Sequence, residues 1–156
     1  MGRMYSATFT AVAVTAAQDL FEVVAPADSI VVIHGVEISQ HTDVGDAAEE
    51  ILRISIDRGA ATSGSGGSSV TPAPLNFGDA AFGGTVEANN TTIASTGTIV
   101  TLHSSAWNIR MPWLWLPSPE MRIILSPSQR LTVELIAAPA DSITTNGTIY
   151  LEEIGG

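Results

Sequence analysis

Cysteine is absent from the 156-residue chain, and so is lysine; six arginines face sixteen acids. Without cysteine there is no disulfide, no thiolate metal site and no cysteine nucleophile. A net charge of −10 argues against a nucleic-acid partner, because phosphate binding needs clustered positive charge. No run of 18 apolar residues occurs, so no membrane-spanning helix is expected. Residues 1–10 lack a basic segment followed by an apolar core, and no secretory signal is expected there. Charge itself is scarce: 14% of residues are charged and 45% are hydrophobic. A surface so sparsely ionic is expected to be partly covered by partners. The length suits one domain over 1–156, able to bury roughly two-thirds of its unfolded surface without a metal or disulfide staple.

What the chain does have is alternation. In 51–58, Leu52, Ile54 and Ile56 oppose Arg53, Ser55 and Asp57. In 130–136, Leu131, Val133 and Leu135 oppose Thr132 and Glu134, and near the end Ile149 and Leu151 oppose Thr148, Tyr150 and Glu152. Period two is the signature of a half-buried strand. The same reading puts Ile30, Val32, His34, Val36 and Ile38 on one face of a strand over 29–39. Segments 19–24, 105–111 and 122–125 add further strands, and 1–14 reads as an N-terminal strand or arm. Helical signal is confined to 43–51, where Asp46 is placed to cap one short turn. Eight or nine short strands between Pro, Gly and Asx turns predict an all-β fold, an antiparallel β-sandwich or jelly roll.

Two further features organise the chain. Ala25-Pro26-Ala27-Asp28-Ser29-Ile30 returns as Ala138-Pro139-Ala140-Asp141-Ser142-Ile143, each time between two expected strands. Proline fixes φ and Asp-Ser closes an Asx-type turn, so both copies predict the same kind of corner. Residues 59–98 form a long Gly/Ser/Thr-rich insertion with only Asp79 and Glu87 charged, yet it carries Leu75, Phe77 and Phe82, which favour burial. A linker, an intramolecular hairpin and an inter-subunit arm all suit that composition.

Catalytic signatures are weak. His34 and His41 are separated by an odd spacing that puts their rings on opposite faces of one strand, unlike a metal-binding pair. His103 precedes Ser104 and Ser105 without the glycine elbow of a nucleophile. Asp43, Asp46, Glu49 and Glu50 do not follow a calcium-loop spacing. The glycines Gly64, Gly66 and Gly67 precede no phosphate-binding lysine. No catalytic, cofactor or metal residue is therefore assigned. Trp113 and Trp115 share one face of Met111-Pro112-Trp113-Leu114-Trp115-Leu116-Pro117, either as core or as an adhesive patch with edge prolines.

Taken with 5–14, the paired Ala-Pro-Ala-Asp-Ser-Ile corners, the Gly/Ser-rich insertion and the ending at 149–156, the chain resembles the small jelly-roll virion proteins of tailed bacteriophages. The resemblance implies a capsid decoration (cement) protein, made in the host cytoplasm and bound to the outside of the head. Its implied partners are further copies of itself, commonly as a homotrimer, and the major capsid protein; it implies no cofactor. Tyr5, Phe77, Phe82, Trp113 and Trp115 are the expected contact residues. A neck, tail or fibre-base protein is the nearest alternative. A cupin-like metal enzyme or a carbohydrate-binding β module is the alternative of another class.

Overall fold

Alternating residues become twelve strands in a computed structural model that describes residues 2–41 and 50–155. They are β1 (Arg3–Val14), β2 (Gln18–Val24), β3 (Ile30–Gln40), β4 (Ile51–Thr62), β5 (Ser68–Val70), β6 (Ala73–Pro74), β7 (Thr85–Asn90), β8 (Ser95–Asn108), β9 (Trp113–Trp115), β10 (Ile123–Leu125), β11 (Arg130–Leu135) and β12 (Ile143–Ile154). A single 3₁₀ turn, Pro119–Met121, is the helical element among the described residues. The helical turn expected over 43–51 falls mostly outside the described residues.

The strands form two antiparallel sheets. One has the order β10-β3-β12-β1-β6, with β9 sharing the β10 side of β3; the other has the order β5-β7-β2-β11-β4-β8. The inner faces bury Tyr5, Phe9, Phe21, Ile38, Ile54 and Leu131 among many aliphatic neighbours. Phe9 and Phe21 meet across the sheets with ring centroids 5.1 Å apart. Each such side chain contributes about 1.5–3 kcal/mol when taken out of water, and this term holds the layers together.

Corners repeat as the sequence does. The first Ala-Pro-Ala-Asp-Ser-Ile segment carries the chain from β2 to β3, the second from β11 to β12, and each crosses from the second sheet to the first. Strands β2 and β11 are antiparallel neighbours, as are β3 and β12. The two corners therefore stand at equivalent points of a pseudo-two-fold arrangement in which β1-β2-β3 corresponds to β10-β11-β12.

Strand β3 departs from simple alternation. Its register with β12 steps between Gly35↔Tyr150 and Ile33↔Leu151, leaving His34 as the extra residue of a β-bulge. Val31 and Ile33 face the core before the bulge, Val36 and Ile38 after it. The expected single face of Ile30, Val32, His34, Val36 and Ile38 is thus corrected: one inserted residue reverses the parity of everything beyond it.

The insertion is shorter than its composition suggests, and it is intramolecular. Strand β4 continues to Thr62 and β8 begins at Ser95, their pairing stepping near Gly59 and Gly97, both at positive φ. Between them, β5 pairs with β7, β7 with β2, and β6 with β1. The excursion therefore extends both sheets on the same side of the sandwich, so within one chain residues 59–98 pair as the intramolecular alternative has it. A buried carboxylate anchors it. Glu22 accepts hydrogen bonds from Ser63 Oγ (2.6 Å), Gly64 N (2.8 Å) and Asn90 Nδ2 (3.2 Å), and pairs with Arg130. Four donors around one carboxylate replace the hydration it loses.

Candidate binding edge

The side of the sandwich opposite the insertion is open. There β8, paired among the described residues only to β4, ends the second sheet, while β9 and β10 share the last edge of the first. An apolar groove of about 750 Å³ runs between them. Its walls include Leu102, His103 and Trp107 from the β8 side and Trp113, Trp115 and Leu116 from the β9 side.

Local sequence sets this geometry. Trp113, Leu114 and Trp115 pair with Ile38, Glu37 and Val36, so both indoles turn inward and Leu114 turns out. Trp113 is buried and its Nε1 donates to Ser105 Oγ across the sheets at 2.6 Å. Trp107 Nε1 donates to the Met111 carbonyl at 2.6 Å, tightening the β8–β9 connection. His103 lies 6.3 Å from Trp113 and 6.1 Å from Trp115, ring centre to ring centre, and bridges the two walls. Gly35 lies behind them: a Cβ there would sit 2.5 Å from Leu116 Cδ2, so the Leu116 side chain would have to move aside.

The groove's chemistry is adhesive. The indole N–H groups of Trp107 and Trp113 are already satisfied, and the large side chains that its lining leaves exposed are apolar: Leu102, Met111, Leu114, Leu116 and Met121. The 32 residues from 88 to 119 contain none of the sixteen acids. Natural edge strands are usually blunted by charge or proline, and β8 carries neither.

Of the expected contact residues, the structure places Tyr5 and Trp113 in the interior. Tyr5 is fully buried, its hydroxyl donates to Ala80 O at 2.9 Å, and its ring meets Phe82 edge-on at 5.3 Å. Both are corrected from surface contacts to internal ones: in each, the polar atom is satisfied within the chain and the ring fills a gap between elements. Phe82 packs half-buried against the core, and Trp115 is half-buried in the groove wall. Phe77 alone is fully exposed, at the tip of a turn. Sequence reasoning passed over Leu102, His103 and Met111 as parts of a groove, because their meeting depends on two strands from different sheets.

The histidines do not converge. His34 Nε2 lies 2.8 Å from Glu152 Oε2 on the outer face of the first sheet. His41 Nδ1 accepts from Asn146 Nδ2 at 2.8 Å, and His103 lies among the tryptophans. Among the described residues, no three His, Asp or Glu side chains gather as a metal-binding group.

A separate acidic cluster lies on the outer face of the second sheet. Asp19 is buried, accepts from Ala94 N at 2.7 Å through Oδ2, and has no partner for Oδ1 among the described residues. Burial pushes its pKa up to about 7; the Ala94 N–H opposes this, and the charges of Glu134, Glu22 and Asp57 add to it. Asp57 itself accepts from the hydroxyls of Ser55 and Thr101.

Comparison with known proteins gives no match: no family model, no curated protein and no solved structure is similar enough to this chain to register.

Proposed function

We propose that the chain is a structural virion protein that acts by covering and gluing, as a capsid decoration protein on the outside of a phage head. Neck, tail or fibre-base placement is the alternative within the same class. The observation that carries this reading is the open edge: an uncharged, apolar groove and a bare edge strand in a chain of net charge −10. Water-exposed carbon of this extent is stabilised by being covered, and a groove lining without acids adds no repulsion of its own between acidic copies.

The strand order lends further support. With the insertion strands set aside, β1-β12-β3-β10 lies over β2-β11-β4-β8. Two interleaved Greek keys wind in this way, which favours reading the sandwich as a jelly roll. A carbohydrate platform fits less well, because sugar stacking needs open indole faces and Trp107 and Trp113 are buried. A cupin-like metal site fits less well because the three histidines lie in separate surroundings.

On this reading the test is binding to empty shells assembled from the major capsid protein of the virion to which the chain would belong. Saturable co-sedimentation at fixed stoichiometry, with a raised shell melting temperature, is the expected result. Shells that pellet without the protein at any ratio would refute head decoration.

A further inference from the structure

Asp19 of β2 stands directly opposite Glu134 of β11 on the outer face of the second sheet. Like charges at facing positions of neighbouring strands repel. Water usually relieves such a pair, but here it is largely excluded. Asp19 is 1% exposed, and the buried Ala94 lies against it, its N–H donating to Asp19 Oδ2 at 2.7 Å. Asp19 Oδ1 has no partner among the described residues. A bare, buried oxygen is costly on a carboxylate and far less so on a protonated acid.

The other charged groups of this face are engaged or lie in water. On β2, Glu22 is paired with Arg130 of β11. On β4, Asp57 accepts from the hydroxyls of Ser55 and Thr101, while Arg53 and Arg58 are exposed. On β7, Glu87 accepts from Asn90 Nδ2 at 2.9 Å. Strand β8 brings no acid or arginine, and its His103 lines the groove. The charges that act on Asp19 are negative: Glu134, Glu22 and Asp57. The segment over it, 91–94, is uncharged and lightly held. Thr92 and Ser65 exchange two backbone hydrogen bonds of 2.9 Å, and Thr91, Thr92 and Ile93 are exposed.

We propose that Asp19 and Ala94 form a proton-sensitive latch, in which the neutral acid keeps residues 91–94 closed and its ionisation releases them. The sign follows from linkage. Burial holds the Asp19 proton up to about 7 although the Ala94 N–H favours the charge, so the closed form prefers the neutral acid with that bond included. Any state in which water reaches Asp19 therefore gains as pH rises towards 7. Lifting a short, weakly tied segment is the local opening that admits water at least cost. The segment runs straight into β8, whose first pairings are Ser95 with Thr62 and Gly97 with Ala60. The latch thus sets how firmly the start of the bare edge strand is held. It acts within one chain and does not depend on the virion reading.

Amide hydrogen exchange of Thr92 and Ala94, followed by NMR from pH 5 to pH 8, tests it. After division by the intrinsic base-catalysed rate, exchange at both should rise roughly tenfold between pH 6 and pH 8 and level off above about 7. Both amides should exchange well ahead of the β2 and β11 core amides at every pH. In Asp19→Asn the pH dependence should vanish. In Glu134→Gln it should shrink, because the facing charge is gone. If Asp19→Asn fails to fold, Glu134→Gln and the carbon-13 titration of the Asp19 carboxyl in wild type decide. Corrected exchange that is flat with pH would overturn the latch. So would an unaltered pH dependence in either variant, or Thr92 and Ala94 amides that open only together with the core.

Discussion

Arg130 Nε lies 2.7 Å from Glu22 Oε1, and Glu22 is almost wholly shielded from water. The pair spans neighbouring strands β11 and β2, and Arg130 also donates to Ala60 O at 2.9 Å. One guanidinium thus ties β2, β11 and the end of β4 together, while the carboxylate holds the start of the insertion.

Replacing Arg130 with Met leaves Glu22 buried with its remaining neutral donors. Losing one partner of a buried ion pair costs about 3–5 kcal/mol, and the retained donors place this variant near 3 kcal/mol. Urea denaturation followed by tryptophan fluorescence measures it. Protease sensitivity at 63–67 should rise in parallel, because the same carboxylate holds that tract; a variant as stable as wild type would refute the anchoring role.

Asp19 gives a pH dependence of definite sign. Its folded pKa, about 7, lies above that of an exposed aspartate, so the folded state holds the proton more tightly than the unfolded chain does. Its contribution is fully present below the unfolded pKa and is lost as pH rises through about 7, at up to about 1.4 kcal/mol per pH unit. Glu134, raised by burial and by the Asp57 charge, acts in the same direction. Denaturation midpoints should fall from pH 5 to pH 8 in wild type, and the slope should flatten in Asp19→Asn.

Deleting residues 64–74 should lower the stability of the monomer itself. The segment holds the Gly64 donor to Glu22, the β5–β7 pairing and the β6–β1 pairing. Loss of hydrogen bonds to a buried charge alone costs about 2 kcal/mol. A deletion variant that keeps the wild-type midpoint would show that the excursion is only draped over the sandwich.

Tyr5→Phe should cost about 1 kcal/mol, the worth of its hydroxyl's bond to Ala80 O. Because that bond supports the Phe77 turn, hydrogen exchange at 75–82 should quicken while the sheet core is unchanged. Equal slowing or quickening everywhere would mean that the hydroxyl has no local role.

Much of the sandwich was legible in the chain. Leu131, Val133 and Leu135 face the core as alternation requires, and so do Leu52, Ile54 and Ile56. The shared inward face of Trp113 and Trp115 followed from period two. The paired corners were visible as repeated letters. His34 was misplaced because a bulge inserts one residue without a compositional mark. Strand β8 was read late because Thr, Ser and Gly at 95–98 resemble loop, and its pairing with β4 is a long-range property.

The sequence by itself determined the class of architecture, the acid-free stretch from 88 to 119 and the absence of thiol and lysine chemistry. Those are properties of local pattern and count, and they survive any arrangement of the strands. Only the tertiary structure decided that Tyr5 lies inside, that Phe77 lies outside, and that a groove opens between β8 and β9. Exposure belongs to a residue together with whatever packs over it, and the strands that cover or leave bare these side chains come from distant parts of the chain.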